Sequence, residues 1–182
     1  MVQSMVSAVG AALFLGGVMT LGDFIWEYFQ VRHSTWAGVS HGAAMCLCIG
    51  GLIGARTGRM KAGLIAGPLV GVLAAGTFYM LAPTLGWGAM LPAWMIFWIC
   101  FAVLQYAWRR ELLHHALVRG VIAAVLSGLA FYAISGIWTR PEPGGPNYLV
   151  HFASWAFAFL PGFLVLFFSS LRPSSSGAPE PA

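Results

Sequence analysis

Six long apolar stretches organise the chain, running from Met5 to Tyr28, Trp36 to Ala55, Ala62 to Ala82, Gly88 to Trp108, Leu117 to Trp138 and Tyr148 to Leu171. Each is close to the ~20 residues a helix needs to cross the hydrocarbon core of a bilayer. They are continuously apolar and rich in Ala, Leu and Gly, unlike the ~10-residue alternating segments of a membrane barrel. Inside lipid every backbone N–H and C=O must find an internal partner, which a helix provides within itself. The pattern predicts an all-α integral membrane protein: a bundle of six transmembrane helices over residues 1–172. The last residues, 173–182, consist of loop-forming Pro, Ser, Gly, Ala and Glu, with too little apolar surface to repay ordering, and are expected to form a disordered cytoplasmic tail. The first stretch has no basic residue ahead of it and is longer than the core of a secretion signal, so it is read as a retained helix.

Composition agrees with lipid as the main solvent. The chain is 59% hydrophobic and only 8% charged, where a soluble domain carries about 25% charged residues. Its mean hydropathy is +0.82.

Charge placement then gives an orientation. With six spans, one side of the membrane collects Arg56, Arg59, Lys61, Arg109, Arg110, Arg119 and Arg172, while the other has only Arg32 and Arg140. Basic residues near span ends are retained on the cytoplasmic side during insertion. Both termini are therefore expected in the cytoplasm, with the chain in the cytoplasmic (inner) membrane. The formal charge of +4 does not point to nucleic acid, because that requires a basic stripe on one solvated face and these arginines punctuate spans. The stretch from Arg109 to Arg119 could also dock on anionic headgroups, although topological anchoring already accounts for it.

Within the spans, Gly50-x3-Gly54 and Gly67-x3-Gly71 place small residues one turn apart, a spacing that lets helix backbones approach closely. Gly67-Pro68 and Pro161-Gly162 interrupt the third and sixth spans, where proline removes a ladder hydrogen bond. Cys46, Cys48 and Cys100 all lie inside spans as packing groups, and the Cys46-x-Cys48 spacing does not suit a shared metal. A faint echo links Val72–Tyr79 and Trp87 in the third span region with Val125–Tyr132 and Trp138 in the fifth. Aromatic residues including Trp26, Trp36, Tyr79, Trp87 and Trp155 gather toward the non-cytoplasmic ends of spans, as headgroup-level rings do, and their excess on that side could wall an opening. Trp94 and Trp98 lie deeper and a belt does not explain them.

One polar zone stands out. Asp23 and Glu27 share a face of the first helix at i and i+4, His41 lies a few residues into the second span, and His151 a few residues into the sixth. At 1.5 Å per residue all of them fall within ~10 Å of the outer interface, so they meet if these helices are neighbours. Ionisable side chains inside spans normally face the bundle interior and pair. The candidate ligand-binding residues are accordingly Asp23, Trp26, Glu27, Trp36, His41, His151 and Trp155: His41 and His151 to hydrogen-bond a polar group, Asp23 to fix their protonation, Trp26, Trp36 and Trp155 to flank the entrance.

The expected function is non-enzymatic: binding or transport of an apolar or amphipathic small molecule through a site near the non-cytoplasmic leaflet, with membrane lipids as surroundings. A purely structural pairing of Asp23 with a histidine weighs against it. An alternative is a membrane-embedded metal- or haem-dependent redox enzyme on the same histidines, although no local metal-ligand spacing is present and no cofactor is assigned. Another is a structural subunit of a membrane complex, or a homo-oligomer, working through its glycine faces. Ser40-His41-Gly42 is no catalytic constellation, since adjacent helix side chains point apart.

In layout the chain resembles the Insig family of six-span sterol-regulatory membrane proteins. The resemblance rests on Phe131-Tyr-Ala-Ile-Ser-Gly-Ile-Trp138, Tyr148-Leu149 and Ser154-Trp155 in the last two spans. It implies six spans with cytoplasmic termini and favours an amphiphile-binding role over an enzymatic one; no functional residue is carried over from it.

Overall fold

The computed structural model describes residues 2–29, 35–138 and 147–168, with all their side chains except those of Trp26, Glu27 and residues 135–138. These residues are all-helical. The elements are α1 (Val2–Tyr28), α2 (Thr35–Arg56), α3 (Met60–Leu85), a 3₁₀ turn (Gly86–Ala89), α4 (Met90–Arg109), α5 (Leu113–Trp138) and α6 (Tyr148–Phe168). The expected tail at 173–182 lies outside the described residues.

Five helical stretches are long and apolar enough to cross a membrane. Four correspond to α1, α2, α5 and α6, and the other is a single stretch of 50 residues, Met60–Arg109, that runs through α3, the 3₁₀ turn and α4. The break inside it comes at Gly86, whose φ of +55° is a conformation that side-chain-bearing residues avoid. Its N–H closes the end of α3 by donating to Ala82 O. Helix α5 begins at Leu113, four residues ahead of the apolar run that announced it, and carries the exposed His114 and His115 on its first turn.

The helices close a ring in which α1 packs on α2 and α6, α2 on α3, α3 on α4, α4 on α5 and α5 on α6. Two kinds of contact hold it. Between α2 and α3 the side chains almost vanish: Gly42, Gly50 and Gly54 lie against the backbone of Gly71, Gly63 and Arg59, and Gly67 lies against Cys46. Both stripes repeat every four residues, one helical turn, so the two backbones touch along most of their length. On the other side α4, α5 and α6 interlock through large rings, with Trp98, Phe101, Phe131, Phe159 and Phe163 fully or almost fully buried. Leucines and valines such as Val6, Leu21, Leu69, Leu73 and Leu129 face outward. An outer surface as apolar as the interior suits lipid, where packing replaces the hydrophobic effect as the force between helices.

Pro161 breaks the ladder of α6, and the consequence is visible one residue later. The Gly162 N–H donates to Ser127 Oγ of α5 at 2.9 Å, in a fully buried position. The same glycine lets the Trp98 indole of α4 lie on the α6 backbone. One small residue thus joins three helices.

At one end of the bundle the Arg56 guanidinium, closing α2, sits 4.4 Å over the Phe167 ring near the end of α6. Arg119 pairs with Glu111 across the α4–α5 connection. The opposite end carries the polar zone.

Candidate functional site

Helix α1 reaches α6 through Gly16, where an added Cβ would stand 2.9 Å from Phe152 O. Two turns farther along the same face lies Asp23. Helix α6 begins with a side-chain cap: Asn147 Oδ1 accepts the Val150 N–H at 3.1 Å and Asn147 O accepts the His151 N–H at 3.0 Å. This fixes His151 on the first turn, with Trp155 one turn behind it on the same face.

Both side chains converge on one carboxylate oxygen. His151 Nε2 and Trp155 Nε1 each stand 2.8 Å from Asp23 Oδ2. An ionised carboxylate only accepts, so Nε2 of His151 is the protonated nitrogen in this contact, and indole N–H can only donate. The second oxygen, Oδ1, faces His41 of α2, whose Nε2 is 3.9 Å away, beyond hydrogen-bonding distance. Gly22 makes room for that ring: a Cβ there would lie 2.9 Å from His41 Cε1. The Phe24 ring packs 4.1 Å from Tyr148 and 5.2 Å from His151, centroid to centroid.

Asp23, His41 and Trp155 open onto a cavity of about 280 Å³ inside the ring of helices. Its floor and walls are apolar, with Met19 from α1, Met45 from α2, Phe78 and Tyr79 from α3, Trp87 from the 3₁₀ turn, and Trp94 and Phe97 from α4. Gly38 and Gly42 form the α2 wall, and the Tyr79 ring rests against Gly38. Trp87 is fixed from behind, because Tyr132 Oη of α5 donates to its carbonyl at 3.1 Å. Trp155 stacks on Phe159 at 5.7 Å, and Trp94 lies 5.4 Å from the same ring, so the aromatic wall is continuous from α4 to α6. No Lys, Arg or Glu is among the cavity-lining residues, which leaves Asp23 as the one acidic group there among the described residues.

Four of the seven sequence candidates therefore come together: Asp23, His41, His151 and Trp155. Trp36 does not. It projects from the first turn of α2 with 82% of its surface exposed and takes no part in lining the cavity. The side chains of Trp26 and Glu27 lie outside the described residues. Sequence reasoning assigned no role to Met19, Met45, Phe78 or Phe97. Apolar residues at helical spacing carry no mark that separates a cavity wall from a lipid-facing surface. Trp94 was legible as an anomaly, a bulky indole too deep for an interfacial belt, and it proves to be a wall residue stacked 6.2 Å from Trp98. The echo between the third and fifth spans does not extend to roles, since Tyr79 lines the cavity while Tyr132 braces Trp87 from outside it.

Among the described residues no group of three or more His, Cys, Asp or Glu side chains is placed to hold a metal ion. The chain matches no protein-family model, no curated protein and no solved structure, and the resemblance of its last two spans remains one of layout.

Proposed function

We propose that the protein crosses the cytoplasmic membrane six times with both termini inside, and that it binds or moves an apolar or amphipathic small molecule through the cavity beside Asp23. The 50-residue stretch from Met60 to Arg109 would measure ~75 Å as one straight helix, more than twice the ~30 Å hydrocarbon core, which supports a turn back within it. The break at Gly86 and the packing of α3 on α4 favour two spans there. The six of those basic residues that are described, Arg56, Arg59, Lys61, Arg109, Arg110 and Arg119, then fall together at the end where Arg56 meets Phe167, and the cavity opens toward the non-cytoplasmic leaflet.

The observation that carries the reading is the cavity itself: an apolar, aromatic-walled space closed at one place by a carboxylate whose orientation two hydrogen bonds fix. A carboxylate serving only as a helix cross-link has no need to line a cavity, whereas small-molecule sites combine mostly apolar walls with a few placed polar groups. Native mass spectrometry of the protein taken from its membrane in mild detergent tests the reading. A small molecule that stays bound in stoichiometric amount supports it; a protein free of any adduct, and unchanged in melting temperature by every amphiphile added back, contradicts it.

A further inference from the structure

Given the binding role just proposed, on which the choice of ligand rests, the chemistry of the cavity narrows the class of molecule it can hold. Asp23 remains partly open to the cavity, with 32% of its side chain exposed. The hydrogen bonds from His151 and Trp155 both fall on Oδ2. Among the described residues no Lys or Arg lines the space to balance the carboxylate. His41 Nε2, at 3.9 Å from Oδ1, is the nearest titratable neighbour on α2, and His151 is the one on α6. With these imidazoles neutral, the site carries a net negative charge inside walls of low dielectric constant, where charge interactions are strong. An anionic head group is repelled there. A neutral alcohol gains a hydrogen bond but no attraction between net charges. An ammonium gains the full attraction, and the cavity is also lined by Tyr79, Trp87, Trp94 and Trp155, aromatic side chains of the kind whose π-faces bind organic cations.

We infer that the cavity selects amphipathic cations: a quaternary or protonated amine carried on an apolar body, with its charge against Asp23 and its body among Met19, Met45, Trp94 and Phe97.

The test uses the whole protein in phosphatidylcholine nanodiscs and three probes of one chain length: decyltrimethylammonium, decan-1-ol and decanoate. Protein-free discs give the partitioning background. The expected result is a dissociation constant for the ammonium about tenfold below that of the alcohol, with decanoate weakest. Asp23→Glu keeps that order because the charge is kept, and Asp23→Asn brings ammonium and alcohol together. If Asp23→Asn cannot be recovered folded, the ranking in the unmodified protein decides alone. An alcohol or decanoate that binds as well as the ammonium, or an ammonium preference that survives in Asp23→Asn, overturns the inference while leaving a binding cavity. Failure of all three probes to bind above background overturns it together with the binding role.

Discussion

The carboxylate of Asp23, near the end of α1, and the imidazole of His151, on the first turn of α6, meet at 2.8 Å although 128 residues separate them along the chain. Trp155 adds a second donor to the same oxygen, so the first and last helices are joined at this point by two hydrogen bonds to a charged acceptor. Such bonds contribute more than neutral ones, and removing their acceptor leaves two donors inside a poorly solvated zone. Asp23→Leu is expected to lower stability by about 3 kcal/mol, and Asp23→Asn, which keeps an acceptor, by about 1 kcal/mol. Thermal unfolding in detergent, followed by near-UV dichroism, compares the two; equal losses would mean that the hydrogen bonds are not what joins the helices.

That junction depends on a close approach two turns away. Gly16→Leu inserts a side chain where even a Cβ would stand 2.9 Å from the α6 backbone, and it is expected to push α1 off α6 and weaken the Asp23–His151 contact. Gly10, on the same helix, has nothing within 4 Å of the place a Cβ would occupy, and Gly10→Ala is expected to be neutral or slightly favourable, given the ~1 kcal/mol helix preference of Ala over Gly. Histidine NMR reads the contact directly: the His151 ring shift should move in Gly16→Leu and stay in Gly10→Ala.

Much of the fold was legible because bilayer thickness leaves few options. Stretches of about twenty apolar residues could hardly be anything but helices, and the x3-spaced glycines of α2 and α3 sit at the contact their spacing implied. Pairing of Asp23 with a histidine was legible for a related reason, since an ionisable group at that depth has to find a partner. The choice between His41 and His151 was not legible. It depends on how close α1 comes to α6 and on the Asn147 cap that starts α6, and neither feature has a hydrophobic signature. Trp36 shows the converse limit: its position near the outer end suited an entrance, but the first turn of α2 aims it outward.

The Pro161 break makes a further expectation. Ser127 supplies the oxygen that receives the Gly162 N–H, and a buried donor left without a partner costs about 1–3 kcal/mol. Ser127→Ala should lose that much stability without altering ligand retention, because Ser127 is not part of the cavity wall. A variant as stable as the parent would show that the α5–α6 hydrogen bond contributes nothing net.

Orientation is open to a separate check. Reporter fusions that are active only in the cytoplasm should be active at both termini, and a fusion in the α3–α4 turn at Gly86–Ala89 should be active only when the reporter is one that works outside. A cytoplasmic signal from that turn would contradict the orientation, and together with cytoplasmic termini it would contradict two separate spans for α3 and α4.

Whether the space beside Asp23 holds a small molecule is decided by filling it. Ala74 and Ala93 both line the cavity and are almost fully buried, so Ala74→Phe or Ala93→Phe puts a ring where the ligand would lie and leaves Asp23, His151 and Trp155 untouched. Native mass spectrometry of parent and variant, prepared identically, should find a stoichiometric adduct on the parent and none on the folded variant. The same adduct on both, or on neither, would mean that the cavity is not a binding site.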